Sequence, residues 1–142
     1  MMNGGTRVNR DEIRVFVYGT LLRNEANHRR LKDARLAADQ AHVQGALYDT
    51  GRGYPSMVLR SDGGAVCGEI YEVDEATLRS LDELEDYYGP NDPRNEYERV
   101  KVVAKTNQGD VSVWIYVYAK EPAESDRIVT GDWRGHRRRR ES

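Results

Sequence analysis

Cysteine is almost absent from the sequence, because Cys67 is the only one among 142 residues. A lone cysteine cannot form an internal disulfide, and the histidines His28, His42 and His136 do not fall in Cys-x-x-Cys or His-Glu-x-x-His spacing. The sequence therefore predicts neither a redox-active cysteine pair nor a metal site.

Long apolar runs are missing as well. No stretch approaches the ~20 apolar residues that a membrane-spanning helix needs, and residues 1–12 are polar, unlike the apolar core of a signal peptide. We therefore expect a cytoplasmic protein that does not enter a membrane. With 38% hydrophobic and 32% charged residues, the composition is that of one globular domain.

Basic charge is scarce outside the C-terminal end of the sequence. Residues 134–142 hold five arginines and one glutamate, a charge of +4, which leaves −6 for the other 133 residues of a chain whose net charge is −2. An acidic body disfavours nucleic-acid binding, which usually shows as a basic surface patch. The run 137–140 could contact phosphates or an acidic partner, but terminal charge runs are usually solvated. We predict one domain over 13–133 and a disordered basic tail over 134–142.

Residues 15–21, Val-Phe-Val-Tyr-Gly-Thr-Leu, form the strongest local pattern. Ile13, Val15 and Val17 alternate with larger or polar residues, which predicts a buried strand. Gly19 follows it and exposes the backbone, since it has no Cβ and can take angles closed to other residues. The amides of residues 19–21 could point at an anionic group. A strand that only needs a tight turn is an equally good interpretation.

The remaining pattern predicts further strands at 40–48, 56–60, 65–73, 97–105 and 111–118. Residues 61–64 resemble a hairpin connection, and residues 106–110 join the last two strands in a β-hairpin. Helices are predicted over 24–36, with Asn24 as N-cap, and over 75–86, after the N-cap Asp74. The turn-rich residues 49–55 could form the wall of a pocket.

These elements predict a mixed α+β fold with about six strands and two helices. Short strands joined by hairpins give a sheet that tends to curl, so the expected architecture is a small, partly closed β-barrel flanked by helices.

The second predicted helix carries an acidic residue on its apolar side. At about 100° per residue, Glu85 falls between Leu78 and Leu81, whereas Glu83 points the opposite way. A carboxylate aimed at the core must find hydrogen bonds or bind a proton. Glu85 could therefore be a general base with a raised pKa, open to a pocket at the helix end. The alternative is that it bends outward or pairs with an arginine such as Arg99.

Other candidates for chemistry carry weaker signals. Cys67 lies mid-strand without a histidine partner, so a small buried residue is favoured over a nucleophile. The loop at 18–21 lacks the Gly-x-x-x-x-Gly-Lys-Ser/Thr residues that grip a nucleotide, which excludes that class of hydrolase. Trp114, Tyr116 and Tyr118 share one strand face; Trp114 is expected to pack, and a hydroxyl of Tyr116 or Tyr118 could enter a pocket.

Taken in order, these segments resemble the gamma-glutamylcyclotransferase-like family, which includes the gamma-glutamylamine cyclotransferases. The resemblance covers roughly residues 15–133. It rests on residues 15–21 followed by Asn27-His28, and on 45–49 with Tyr54-Pro55, 66–71, 81–85, 97–99, 114–118 and 131–133. No single segment is specific, but the ordered set is.

The resemblance implies a small mixed barrel whose pocket lies between the Tyr-Gly loop and a catalytic glutamate. The family's Leu-Asp-x-x-Glu motif falls on residues 81–85, so its glutamate corresponds to Glu85. It also implies an enzyme that releases 5-oxoproline and a free amine or amino acid, with no metal or organic cofactor. The predicted substrate-binding residues are Tyr18, Gly19, Thr20, Leu21, Tyr54, Tyr116 and Tyr118.

Two departures from the family pattern affect the pocket rim. Many members have glycine directly after the glutamate, where this chain has Asp86. The segment 86–96 is also longer than in the shortest members. A non-catalytic module that binds a small metabolite in the same pocket is the main alternative function. A nucleic-acid accessory protein that works through the arginine tail is a third. The expected partner is a small gamma-glutamyl compound, and the sequence makes no prediction of oligomeric state.

Overall fold

In the computed structural model, which describes residues 13–62 and 64–141, most of the chain is in β-strands. The strands within these residues are β1 Ile13–Val17, β2 Arg35–Gln44, β3 Ala46–Asp49, β4 Pro55–Val58, β5 Ala65–Val73, β6 Tyr97–Thr106, β7 Gly109–Tyr118 and β8 Arg127–Ile128. The α-helices are α1 Glu75–Leu84 and α2 Trp133–Glu141, and short 3₁₀ helices span His28–Leu31 and Glu124–Asp126. The polar residues 1–12, which argued against a signal peptide, lie outside the described residues.

Five strands form a closed barrel in the order β1-β5-β2-β6-β7. The barrel closes where β1 runs parallel to β7, with Val15 opposite Trp114. The predicted hairpin of β6 and β7 is confirmed, because the two strands pair antiparallel from Tyr97 opposite Tyr118 to Thr106 opposite Gly109. The predicted small barrel is therefore present, and it is fully closed.

A separate sheet of three strands, in the order β4-β3-β8, lies beside the barrel. The predicted strand at 40–48 is two strands, because the chain leaves the barrel at Gly45 and starts β3 in the second sheet. A Cβ on Gly45 would lie 2.7 Å from the carbonyl oxygen of Val58. The hairpin predicted across residues 61–64 is wrong: β4 pairs with β3, and β5 pairs with β1 and β2. Gly63, within that connection, lies outside the described residues.

The helix predicted over 24–36 is also wrong. Asn24 has a φ of 71°, which a helix N-cap does not adopt, and only the 3₁₀ turn His28–Leu31 is helical. Strand β2 begins at Arg35 and pairs with β5. Closing the barrel requires β2, so sheet pairing overrides the weak helical pattern of this segment.

Helix α1 confirms the second predicted helix and ends two residues early. The side chain of Asp74 caps it, since its Oδ1 accepts a hydrogen bond of 2.8 Å from the backbone N of Thr77. Among the described helices, none is both long and apolar enough to cross a membrane.

The predicted disordered tail instead belongs to α2. Trp133 is buried, Arg134 pairs with Glu69 and Arg137 pairs with Glu25, all on the body of the protein. The acidic residues that gave the body its negative charge thus provide partners for the arginines. The predicted boundary at 133/134 falls inside one helix, and Ser142 lies outside the described residues.

Two buried apolar clusters lie on opposite sides of the barrel wall. One draws on all five barrel strands and on the second sheet, and includes Phe16, Ile70 and Ile115. The other lies between the wall, α1 and the loop after β1, and includes Val17, Leu21 and Leu81. Strand β1 contributes to both, so the loop that follows it starts from a rigid strand.

Candidate active site

A cavity of about 340 Å³ opens between the loop after β1 and the C-terminal end of α1. Most of the predicted site residues line it, namely Tyr18, Gly19, Thr20, Leu21, Tyr54, Glu85 and Tyr116. The volume lies within the usual range of small-molecule sites. The fold thus brings together side chains from β1, β7, the 50–54 loop and α1.

The loop after β1 is shaped by its own backbone and by Asn27. Leu22 N donates to the carbonyl of Gly19 over 3.0 Å, and Asn27 N donates to the carbonyl of Thr20 over 2.8 Å. Asn27 Nδ2 also donates to Thr20 Oγ1 over 3.0 Å. The amides of residues 19–21 donate to no other residue within the described part of the chain. These three residues line the cavity, and their amides have no partner among the described residues.

Gly19 is required for a close contact. Its φ is not among the positive ones, so the unusual backbone angles that the sequence suggested are not used. A Cβ on Gly19 would lie 2.7 Å from both Cδ and Cγ of Pro55, which also lines the cavity. Any side chain here would push the loop after β1 away from the start of β4.

Glu85 lies directly after α1, and its backbone N continues the helix by donating to the carbonyl of Leu81 over 3.0 Å. Its side chain is half-buried and lines the cavity, whereas Glu83 is exposed on the outer side of the helix. Among the described residues, none donates a hydrogen bond to the Glu85 carboxylate. The alternative pairing with Arg99 is wrong, because Arg99 Nε donates to Asp82 Oδ1 over 2.8 Å instead.

The surroundings of Glu85 disfavour its charged form. Burial, followed by the nearby carboxylates of Glu96 and Asp86, raises the pKa of Glu85 to about 8, and Arg30 opposes the shift. Glu96 is near because its backbone N donates to the carbonyl of Asp86 over 3.1 Å, which closes the loop between α1 and β6. The surroundings of the cavity thus favour the protonated form of this carboxyl group.

Asp82 fixes the end of α1 against the barrel. Its Oδ1 accepts hydrogen bonds from Tyr116 Oη at 2.6 Å and from Arg99 Nε at 2.8 Å. Both partners belong to the β6–β7 hairpin. This pairing sets the position of Glu85, which lies one turn further along the chain.

The tyrosine hydroxyls at the cavity are already hydrogen-bonded. Tyr18 donates to the carbonyl of Tyr116 over 2.5 Å, Tyr54 to Glu96 Oε2 over 2.7 Å, and Tyr97 to the carbonyl of Pro55 over 2.7 Å. Tyr116 lines the cavity with its hydroxyl held by Asp82. These rings form rigid walls.

Tyr118 is the one predicted site residue that does not line this cavity. Its ring packs edge-on against Tyr97, with centroids 5.5 Å apart. Tyr118 therefore supports a wall residue from behind.

A sequence profile of the gamma-glutamyl cyclotransferase, AIG2-like family matches residues 15–135. The chain belongs to this family. Over 123 residues it is 42% identical to a gamma-L-glutamyl-butirosin B gamma-glutamyl cyclotransferase from Niallia circulans, which covers 87% of this chain and 76% of the relative. It is 39% identical over 120 residues to a putative gamma-glutamylcyclotransferase from Vibrio cholerae, with 84% and 93% covered.

Solved structures agree with this assignment. An AIG2-like protein from Mus musculus superposes with a TM-score of 0.67 at 31% identity, over 80% of this chain and 81% of that one. YkqA from Bacillus subtilis gives a TM-score of 0.75 at 28% identity, and the match covers 92% of this chain but 42% of that longer protein. The predicted family and fold are confirmed, and the relatives indicate gamma-glutamyl cyclotransferase activity.

Of the 49–55 loop expected to form a pocket wall, Tyr54 and Pro55 line the cavity of this gamma-glutamyl cyclotransferase fold, and Asp86 and Glu96, the ends of the segment expected to affect the rim, line it too. Sequence reasoning missed Asn27 and Tyr97. Both stand in motifs that carry the family resemblance, so they could have been included in the site.

Cys67 is half-buried on β5, and burial together with Asp132 raises the pKa of its thiol. A raised pKa disfavours the nucleophilic thiolate. Among the described residues of the family domain, no group of three His, Cys, Asp or Glu side chains is arranged to hold a metal ion.

Proposed function

We propose that this gamma-glutamyl cyclotransferase family member converts a gamma-glutamyl compound into 5-oxoproline and a free amine or amino acid. The α-amino nitrogen of the substrate attacks its own γ-carbonyl carbon and closes a five-membered ring. The bond from that carbon to the leaving nitrogen breaks, and a proton passes from the attacking to the leaving nitrogen. Because both reacting groups belong to one molecule, the protein mainly has to hold a folded conformer and transfer protons.

Glu85 is the proposed proton carrier. It accepts a proton from the α-ammonium group and returns it to the leaving nitrogen. The observation that carries this proposal is the half-buried Glu85 carboxylate, which faces the cavity without a donor among the described residues. A pKa near 8, raised by burial and by Glu96 and Asp86, suits a group that exchanges protons with amines.

The amides of Gly19, Thr20 and Leu21 are the proposed anion-binding group. They are available on the opposite side of the cavity and would hold the α-carboxylate of the substrate or the oxyanion formed at the γ-carbon. Tyr18, Tyr54 and Tyr116 enclose the gamma-glutamyl chain as apolar walls, and Tyr118 acts through Tyr97.

The charge of the cavity supports an amine as leaving group. The acidic side chains of Asp86 and Glu96 line it beside Glu85, whose charged form is disfavoured. Glu96 is paired with Arg52 over 2.8 Å, and none of the described lining residues is Lys, Arg or His. An amino acid leaving group adds a carboxylate near these acids, whereas an amine with a second ammonium group is attracted to them. We therefore expect gamma-glutamyl amines to react faster than gamma-glutamyl dipeptides.

The test is release of 5-oxoproline from a panel of gamma-glutamyl amines and dipeptides, measured with the full chain. The matched control is a substrate whose α-amino group is acetylated, which must not react because it lacks the nucleophile. Release of free glutamate from the panel would instead indicate hydrolysis. Binding of gamma-glutamyl compounds or 5-oxoproline without turnover would favour a non-catalytic metabolite-binding module.

A further inference from the structure

Glu69 is a charged residue that the proposed mechanism does not use. It lies on β5 and is 1% exposed, and it is the one charged residue among the fully buried positions of the described chain. A buried carboxylate without partners is costly, so its hydrogen bonds indicate what it does.

Three donors converge on the Glu69 carboxylate. Arg23 N donates to Oε1 over 3.0 Å, Tyr71 Oη donates to Oε1 over 3.0 Å, and Arg134 Nη2 donates to Oε2 over 2.7 Å. Burial alone would raise the pKa of Glu69, but the hydrogen bonds from Arg134, Arg23 and Tyr71 lower it below its ordinary value. Glu69 is therefore a fixed negative charge.

The same network binds the backbone N–H and the backbone carbonyl of Arg23. Its N–H is bound by Glu69, and its carbonyl oxygen accepts a second hydrogen bond from Arg134 Nη2 over 3.0 Å. Arg134 comes from α2, and Arg137 of the same helix binds Glu25 through two hydrogen bonds of 3.0 Å. The segment that follows the 19–21 amides is thus clamped from its outer side.

We propose that Glu69 and Arg134 are positioning residues for the cyclotransferase reaction, because they fix the main chain at Arg23 and thereby the cavity amides of residues 19–21. This inference rests on the proposed function. Neither side chain lines the cavity, so neither touches the substrate. Anion-binding amides act only when their positions are set in advance, and a shift of about 1 Å can cost about 100-fold in rate.

The competing interpretation is that Glu69 and Arg134 only attach α2 to the barrel. Hydrogen–deuterium exchange separates the two, since it reports on residues 18–25 independently of overall stability. The variants are Glu69→Gln, Arg134→Gln, the double variant, and Arg134→Lys, which keeps the charge and one donor. The controls are Glu72→Gln, on the same strand but paired with Arg35, and Arg138→Gln, exposed on the same helix.

With the full chain assayed well below every melting temperature, Glu69→Gln and Arg134→Gln should each lower kcat/KM by about 10- to 100-fold. Within residues 18–25, exchange at the Leu22 and Glu25 amides, which donate to the carbonyls of Gly19 and Leu22, should rise while exchange in β6 and β7 stays unchanged. The double variant should lose little more than either single variant, because the two residues act as one unit, and Arg134→Lys should recover part of the activity.

Unchanged exchange at residues 18–25, or an equal loss of activity in the two controls, would overturn the positioning role. If Glu69→Gln fails to fold, Arg134→Gln at the more exposed partner decides the question. If the wild-type protein releases no 5-oxoproline, the proposed function fails, while exchange and the affinity for 5-oxoproline still test the clamp on residues 18–25.

Discussion

Glu69 and Glu85 are two carboxylates withdrawn from water whose acidities are shifted in opposite directions. Hydrogen bonds from Arg134, the Arg23 amide and Tyr71 overcome the effect of burial and lower the pKa of Glu69. No described residue donates to Glu85, and burial with Glu96 and Asp86 raises its pKa to about 8. Desolvation acts on both, so the partners decide the sign. A buried carboxylate with hydrogen-bond donors is held in its charged form, whereas one without donors keeps its proton to a higher pH.

The largest expected effect comes from removing Glu85, the proposed proton carrier. Glu85→Gln keeps the side-chain shape but cannot accept a proton, so kcat should fall by about 10²- to 10⁴-fold, or about 3 to 5 kcal/mol of transition-state stabilisation. Glu83→Gln, on the exposed side of the same helix, is the matched control and should stay near wild type. Equal activity in the two variants, with melting temperatures measured for both, would remove Glu85 from the mechanism.

Deleting residues 134–142 should destabilise the protein, because Glu69 then loses its Arg134 donor. We expect the free energy of unfolding to fall by about 3 kcal/mol, the order measured when one partner of a buried ion pair is removed. The sequence, by contrast, suggested a tail whose loss would matter little. Denaturant titration measures the change, and a shorter deletion of 138–142, which keeps Arg134 and Arg137, is the control. Equal stability of the long and short deletions would contradict the prediction.

The pH dependence of stability should separate the two carboxylates. The folded pKa of Glu85, about 8, lies above the unfolded value, so its contribution is complete below about pH 4 and is lost as pH rises through 8. The free energy of unfolding of Glu85→Gln should therefore rise relative to wild type by about 4 kcal/mol between pH 5 and pH 9, or about 1.4 kcal/mol for each pH unit between about 5 and 8. The folded pKa of Glu69 is lowered, so its contribution is present above the ordinary carboxyl pKa and is lost only in acid.

Thermal melts of wild type, Glu85→Gln and Glu69→Gln across that pH range provide the measurement. A constant difference between wild type and Glu85→Gln from pH 5 to 9 would mean that the pKa of Glu85 is not raised. The difference in melting temperature between wild type and Glu69→Gln should stay constant from pH 5 to 9.

The smallest effect is expected from Glu96→Gln. The Glu96 carboxylate is one of the causes that raise the pKa of Glu85, so its removal should move the acid limb of the kcat/KM profile to lower pH. Tyr54 loses a hydrogen-bond acceptor of the charged type, which should raise KM slightly. An acid limb that stays in place, with Glu83→Gln as the neutral comparison, would show that Glu96 does not influence the proton carrier.

Local patterns in the sequence were sufficient to predict β5, the β6–β7 hairpin and α1. Each of these elements is specified by alternation, turn residues or a helix cap within a few positions. Glu85 was accessible for the same reason, since its place on the apolar side of α1 depends only on helical spacing. The expectation of a barrel came from the short strands and their connections, and the family motifs implied the same fold.

Contacts between residues far apart in the chain could not be predicted from local sequence patterns. Residues 24–36 have a helical pattern of their own and become turns and a strand only because β2 pairs with β5. The arginines of α2 looked solvated because Glu69 and Glu25 lie far away in sequence. The contact of Gly19 with Pro55, and the approach of Glu96 to Glu85, likewise exist only after loops from separate elements meet.

The link between α2 and the loop after β1 also sets an order of events during synthesis. Arg134 binds Arg23 across 111 positions, and Arg137 binds Glu25 across 112. Residues 19–25 therefore leave the ribosome long before the arginines that hold them have been added. A nascent chain that already contains β7 has every strand of the barrel, yet the carbonyl of Arg23 and the carboxylate of Glu25 still lack their partners on α2. By this order, we expect the proposed anion-binding loop to reach its final position after the barrel has formed, when α2 reaches Arg23 and Glu69.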